Sequence, residues 1–156
     1  MTEPELRPVG EEDLAAINAL VLEAITVWPM ADAVRQRIAP SYCYDPMDLE
    51  HMRLFATGTG PDAMIALEDA DARDVPQTPA VLLHGIYVRP SVQGTGLGRR
   101  LVEAALAIAR RDSAAGLLVK AQRSANGFFE ALGFEALPVV DPARDYPHRY
   151  WRTLGI

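Results

Sequence analysis

From Ala80 to Val88 the chain is an almost unbroken apolar run, followed by glycines at every second position, Gly94, Gly96 and Gly98, and then by a helical repeat. This succession constrains the fold more than any other feature. The run Ala80-Val81-Leu82-Leu83-His84-Gly85-Ile86-Tyr87-Val88 predicts a strand long enough to be central to a sheet. Beyond the glycines, Leu97, Leu101, Ala105 and Ile108 share a helical face with Val102, Leu106 and Ala109 beside them. A strand that turns into a helix through glycines sets main-chain N–H groups at the positive end of the helix dipole, with no Cβ to block an anion. The turn is therefore a candidate phosphate cradle, and a pyrophosphate-bearing cofactor is the leading expectation. Glycines in such a turn also serve pure geometry, so the rest of the chain must decide.

Two common phosphate loops fit poorly. A nucleotide-hydrolase loop ends in Lys followed by Ser or Thr, whereas Arg99-Arg100-Leu101 follows Gly98 here. A dinucleotide fingerprint spaces its glycines differently and places an acid at the end of the next strand, where this chain has Lys120.

At 156 residues the chain is expected to form a single domain, 1–156, without linker, repeat or low-complexity stretch. A formal charge of -6 and a pI of about 5.0 argue against a nucleic-acid partner and suit a neutral or cationic substrate, although Arg99-Arg100 and Arg110-Arg111 are local basic pairs. Met1 to Gly10 lacks the apolar core of a secretory signal and no apolar run is long enough to span a bilayer, so a cytoplasmic location with no membrane partner is expected. Cys43 stands alone and reads as a small buried hydrophobe. No His, Cys or acidic cluster has metal-ligand spacing, and no metal is expected.

Leu6-Arg7-Pro8-Val9 reads as a short extended piece. Gly10-Glu11-Glu12-Asp13 then opens a helix with acids in its first turn, and Leu14, Ile17, Val21 and Ile25 give it an apolar face until Pro29. Ala31 to Ile38 predicts a shorter helix, and Asp45 to His51 a helical turn or irregular segment. Arg53 to Thr57, the turn Gly58-Thr59-Gly60-Pro61-Asp62 and Met64 to Glu68 predict a hairpin. Gly116 is expected to close the glycine-loop helix, ahead of a strand at Leu117-Leu118-Val119. A short helix capped by Ser124 and running through Leu132, a left-handed turn at Gly133, a strand from Phe134 toward Val140 and an edge strand at Arg149-Tyr150-Trp151-Arg152 complete the reading. The sum is an α/β fold with a mixed, largely antiparallel central sheet flanked by helices.

Val88-Arg89-Pro90 followed by Gln93-Gly94-Thr95-Gly96-Leu97-Gly98 resembles the acyl-CoA-binding motif of the GNAT N-acetyltransferase superfamily: Gln or Arg, two residues, Gly, one residue, Gly or Ala. Downstream, Ala125-Asn126-Gly127-Phe128-Phe129-Glu130-Ala131-Leu132-Gly133-Phe134 resembles that family's second signature, an Ala near a helix start and an aromatic followed by Leu-Gly-Phe. The resemblance runs from about Val81 to Phe134 and implies a GNAT-like acyl-CoA N-acyltransferase fold, with acetyl-CoA or another acyl-CoA as co-substrate. In that family the loop amides hold the CoA pyrophosphate, which implies Gln93, Gly94, Thr95, Gly96, Leu97 and Gly98 here. Arg99 either adds charge near the phosphates or is a solvated first-turn arginine. The family's strand before the loop splays from its neighbour and offers backbone groups to the pantetheine arm, which implies Ile86, Tyr87 and Val88. Gln122 stands where many relatives carry a cofactor-bonding Asn, and Phe129 where many carry a Tyr that protonates the CoA thiolate; Phe129 is assigned to the thiol end of CoA.

Acetyl transfer to an amine needs a base, a stabiliser for the tetrahedral oxyanion and a route out for a thiolate whose parent pKa is near ~8.5. His84 is the candidate catalytic base, since relatives often present Glu or His from this strand and an imidazole with an unperturbed pKa near ~6.5 suits proton removal. Strand alternation puts His84, Ile86 and Val88 on one face and Leu83, Gly85 and Tyr87 on the other. A structural, hydrogen-bonded His84 is the alternative, with a water chain from Glu68 or Asp69 as the fallback base. Phenylalanine has no proton to give, so the acid is Tyr87, Tyr146 or a water, or the thiolate leaves unprotonated. Trp28, Met30, Tyr42, Tyr44 and His51 are candidate acceptor-cleft walls or ordinary core. His148, among Tyr146, Pro147, Arg149, Tyr150 and Trp151, either lines the cleft mouth or pairs with another subunit of a homodimer. Cys43 has no evident base partner, which favours direct transfer over an acyl-enzyme. The expected activity is acetyl-CoA-dependent N-acetyltransfer to a small-molecule amine; the alternatives are a protein or peptide N-acetyltransferase and a non-catalytic acyl-CoA-binding module.

Overall fold

The structure, a computed structural model, describes residues 5–58, 60–122 and 125–155. Strands β1 (Leu6–Pro8), β2 (Met52–Thr57), β3 (Ala63–Asp69), β4 (Ala80–Val88), β5 (Gly116–Lys120), β6 (Glu135–Ala136) and β7 (Arg149–Thr153) form a mixed sheet in the order β1-β2-β3-β4-β5-β7-β6. Helices α1 (Leu14–Ala24), α2 (Asp32–Ile38), α3 (Leu97–Arg111) and α4 (Asn126–Ala131) flank it, so the expected mixed α/β sheet is the observed one. The chain divides into two compact units, Met1–Ala66 with Gly85–Ala104 and Leu67–His84 with Ala105–Ile156.

In the first unit β1 runs antiparallel to β2, with Leu6 opposite Thr57 and Pro8 opposite Phe55, and a proline is tolerated there because β1 is an edge strand. The carboxylate of Asp13 accepts from the Gly10 N–H at 2.9 Å and from Arg7 at 3.1 Å, closing the 3-10 turn Glu11–Asp13 that leads into α1. Leu14, Ile17, Leu20, Val21 and Ala24 then recur at helical spacing and are buried with Leu54, Ala56, Met64 and Tyr87 in one core cluster. After a further 3-10 turn, Ile25–Val27, Trp28 becomes extended ahead of Pro29, the conformation a residue before proline prefers. The hairpin between β2 and β3 is held by the Thr57 hydroxyl, which accepts from the N–H groups of Asp62 and Ala63 at 3.2 Å each. Thr59 of that turn lies outside the described residues.

In the second unit Ala80–Leu83 of β4 pairs in parallel with Gly116–Val119 of β5, and β7 runs antiparallel to both β5 and β6. Three expectations are corrected here. Gly116 does not close α3; it is the first residue of β5, and a Cβ on it would run into the indole ring of Trp151. The left-handed turn after α3 falls instead on Ser113, at φ +58°. The strand expected from Phe134 to Val140 shrinks to β6: the bonds to β7 run out at Leu137, whose N–H donates to the Arg149 carbonyl at 2.9 Å, because Pro138 after it has no N–H to give. Finally, β7 is not an edge: it lies between β5 and β6 with Arg149, Tyr150 and Trp151 all buried.

A buried arginine at the start of an inner strand needs compensation. The Arg149 guanidinium donates to the carbonyls of Asp74 and Pro138, each at 2.9 Å, and lies 3.6 Å from the carboxylate of Asp145. The N–H groups of Asp141 and Val140 donate to Asp145 and hold its carboxyl below the usual carboxylate range. Ser124, the expected cap of α4, lies outside the described residues. At the other end of α4, Gly133 makes the expected left-handed turn at φ +84°, with Phe134 N–H bonded back to the Phe129 carbonyl at 3.1 Å.

Candidate active site

The registered pairing of β4 with β5 ends at Leu83 opposite Val119, while β4 itself runs on to Val88. Pairing therefore stops short of Ile86, Tyr87 and Val88, the stretch assigned to the pantetheine arm. Alternation along β4 is as the sequence predicts: His84 is exposed and Ile86 and Val88 half-buried, whereas Leu83, Gly85 and Tyr87 are buried.

Past Val88 the first unit carries the glycine loop. Pro90–Val92 makes a 3-10 turn, closed by Val92 N–H to the Arg89 carbonyl at 3.0 Å. The Gln93 amide donates to the Val88 carbonyl at 3.1 Å and the Thr95 hydroxyl to the Val92 carbonyl at 2.6 Å, so both side chains are spent on shaping the turn. Gly94 and Gly96 sit at φ +78° and +83°, where L side chains are strained. The first intrahelical bond of α3 is Arg100 N–H to the Gly96 carbonyl at 3.2 Å, which leaves the N–H groups of Leu97, Gly98 and Arg99 ahead of it without a helical acceptor. Gln93 to Gly96 are exposed, and a Cβ on Gly94 would meet no atom within 4 Å. Main-chain N–H groups at the positive end of a long helix, beside an exposed glycine turn, are of the kind that binds a phosphate through the backbone. Arg99 is exposed in the first turn of α3.

The same unit gathers the aromatic residues expected at the acceptor cleft. Trp28 stacks on Tyr87 with ring centroids 6.2 Å apart and meets Tyr42 edge-on at 5.1 Å. Tyr44 is held by Asn18, whose amide donates to the Tyr44 carbonyl and accepts from its N–H, both at 2.8 Å. The Tyr44 hydroxyl reaches the bare Cα of Gly85, where a Cβ would collide with it and with the Tyr87 ring. Arg35 fixes the backbone bend that carries Trp28 by donating to the carbonyls of Ile25 at 3.1 Å, Trp28 at 2.8 Å and Met30 at 3.0 Å. His51 is exposed in the turn before β2. Burial pushes the Tyr87 phenol well above the usual tyrosine range, with Tyr42 adding to the effect, so it is a weak proton donor to a thiolate.

In the second unit, Gln122 is half-buried just after β5. Of the two phenylalanines on α4, Phe129 is the packed one, 3% exposed, with Phe134 edge-on at 5.6 Å and Tyr150 stacked at 6.3 Å, while Phe128 is 39% exposed. The Tyr150 hydroxyl donates to Glu130 at 3.3 Å, and burial together with that carboxylate raises its pKa. Tyr146 donates its hydroxyl to the Ala121 carbonyl at 2.9 Å and meets His148 edge-on at 6.2 Å. Cys43, in the first unit, is half-buried, and burial pushes its thiol pKa up, away from the thiolate that a nucleophile needs.

Two arginines with organising roles were not singled out from sequence, Arg35 and Arg89. Arg35 carries no sequence signal beyond a position in a short helix. Arg89 lies inside the motif lead-in, but its partner Glu23 is 66 residues away, and nothing local connects them.

The acetyltransferase (GNAT) domain family model matches residues 59–136 of the chain. No curated protein matches it. Among solved structures, PaiA N-acetyltransferase from Thermoplasma acidophilum in complex with coenzyme A has a TM-score of 0.76 at 12% identity, covering 96% of this chain and 98% of that one. A GNAT family acetyltransferase from Brucella melitensis in complex with acetyl-CoA has a TM-score of 0.66 at 17% identity, covering 97% and 88%. AAC(6')-Iy in complex with the bisubstrate analog CoA-S-monomethyl-acetylneamine has a TM-score of 0.61 at 18% identity, covering 88% and 94%. These structures share the fold described above.

Proposed function

The chain belongs to the GNAT acetyltransferase family, and from that premise we propose that it moves the acetyl group of acetyl-CoA directly to the amine of a small molecule. The observation that carries this reading is the loop from Gln93 to Gly98, an exposed turn with two left-handed glycines that aims main-chain donors from the start of α3. Acetyl-CoA brings an acyl thioester; everything else in the proposal is done by residues of this chain. Main-chain N–H groups of Gly94 to Gly98 hold the pyrophosphate, with Gln93 shaping the loop and Arg99 adding charge. Backbone groups of Ile86, Tyr87 and Val88 orient the pantetheine arm, Gln122 offers it an amide, and Phe129 gives the thiol end an apolar neighbour. His84 takes the proton from the incoming ammonium, a role supported by its exposure on β4 between buried Leu83 and Gly85.

The thiolate leaves unprotonated in this proposal, and the second proton that the nitrogen loses on becoming an amide passes to water. Phe129 has no proton, the phenol of Tyr87 is buried and hard to ionise, and the hydroxyl of Tyr146 is engaged by Ala121. The modest basicity of a thiolate permits this route. Burial, which pushes the Cys43 thiol pKa up, supports direct transfer over an acyl-enzyme. The acidic balance of the chain suits a cationic acceptor of either kind, and the acetylneamine analog held by a structure of the same fold favours a small amine over a protein. The test is ligand-linked stability. Acetyl-CoA at about a hundred times its Kd is expected to stabilise the fold by roughly 2.7 kcal/mol in denaturant or thermal unfolding, with NAD and ATP doing little. No shift with acetyl-CoA, or an equal shift with NAD, would remove the assignment.

A further inference from the structure

We propose that Arg89 is a positioning residue for the glycine loop, tying the residue from which the loop departs to α1 and to the β2–β3 turn; the inference rests on the reading of that loop as the CoA cradle. The guanidinium uses three nitrogens on three partners: Nη1 donates to Glu23 at 2.7 Å, Nε to Asp62 at 3.0 Å and Nη2 to the Pro61 carbonyl at 3.0 Å. The Arg89 N–H adds a bond to the Asp62 carbonyl at 2.7 Å. Glu23 stands in the last turn of α1, and Pro61 and Asp62 belong to the β2–β3 turn, so one side chain joins three segments that sequence keeps far apart. On its other side, Arg89 accepts the Val92 N–H that closes the 3-10 turn, and Pro90 fixes the backbone angle between them. Gly94 and Gly96 hang directly from that turn.

The charge pattern separates positioning from direct contact. Two carboxylates already meet the single positive charge of Arg89, which leaves the cluster net negative and a poor place for a phosphate. The group is also only partly buried, the guanidinium 32% and the two carboxylates 44% and 54% exposed, and ion pairs of that exposure contribute little to global stability. The clamp acts on the loop: without it the donor ring spends less time in its binding geometry, and apparent affinity falls with that fraction. A lysine keeps the charge and cannot serve three partners in one plane.

The test titrates CoA calorimetrically into the full chain and into four variants, Arg89→Ala, Arg89→Lys, Glu23→Gln with Asp62→Asn, and all three changes together, with melting temperatures recorded alongside. The expected result is CoA binding weakened about tenfold in Arg89→Ala and by a similar factor in the carboxylate double variant, with Arg89→Lys close to Arg89→Ala. The triple variant is expected to be no worse than either, because one clamp is removed in all of them. Melting temperatures should stay within a few degrees of the parent. A carboxylate double variant that binds CoA as tightly as the parent, or more tightly, overturns the inference, and so does full rescue by lysine. If the parent chain itself fails to bind CoA, the reading of the loop falls first and the inference with it.

Discussion

Gly96→Val is expected to weaken CoA binding by at least about a hundredfold while the fold survives. Gly96 sits at φ +83°, where an L residue is strained by about 1–2 kcal/mol and a β-branched one more so. The loop relieves that strain by rotating to negative φ, and the rotation carries the N–H groups of Leu97 and Gly98 away from the cradle. Charge-assisted hydrogen bonds are worth about 1.5–3 kcal/mol each, so losing one or two accounts for a hundredfold loss. Leu97→Ala is the companion control, because it keeps the N–H and removes only a side chain; it should cost far less. Calorimetric titration with CoA reads both, and circular dichroism verifies the fold. Equal binding by Gly96→Val and the parent would mean that the loop is a turn and nothing more.

The second large effect belongs to His84. His84→Ala is expected to lower turnover by about 10²–10⁴-fold with acetyl-CoA affinity unchanged, since a general base contributes that much and does not hold the cofactor. His84 is exposed on β4 while its strand neighbours Leu83 and Gly85 are buried, and the registered β4–β5 pairing ends beside it at Leu83. Steady-state kinetics at saturating acetyl-CoA checks the prediction. A variant with undiminished turnover would return His84 to a structural role and move the search to Glu68 and Asp69, half-buried and exposed at the end of β3.

What the sequence made legible was what local pattern controls. The apolar run from Ala80 to Val88 is β4 to the residue, and the glycine spacing marked the loop that follows it; that Gly94 and Gly96 take positive φ there, and Gly98 does not, was not legible in the spacing. Gly116 shows the ambiguity of that signal: its missing Cβ makes room for Trp151, and Ser113 makes the turn that Gly116 was expected to make. Arg149 misled for a related reason. It lies buried in an inner strand because the carbonyls of Asp74 and Pro138, brought from 75 and 11 residues away, and the carboxylate of Asp145 meet its guanidinium. The candidate site divides the same way. Its cofactor loop is a local motif, whereas the grouping of Trp28, Tyr42, Tyr44 and Tyr87 and the bridging of Glu23 to Asp62 by Arg89 arise from tertiary contacts with no local sequence mark.

A panel of small primary amines, each mixed with the protein and acetyl-CoA, separates acetyl transfer to small molecules from its alternatives when free thiol and acetylated product are quantified together. Amine-dependent release of CoA thiol, one equivalent for each acetylated amine, is the predicted result. Stabilisation of the fold by acetyl-CoA with no thiol released for any amine, or with acetylation confined to lysines and N-termini of added peptides, would contradict it.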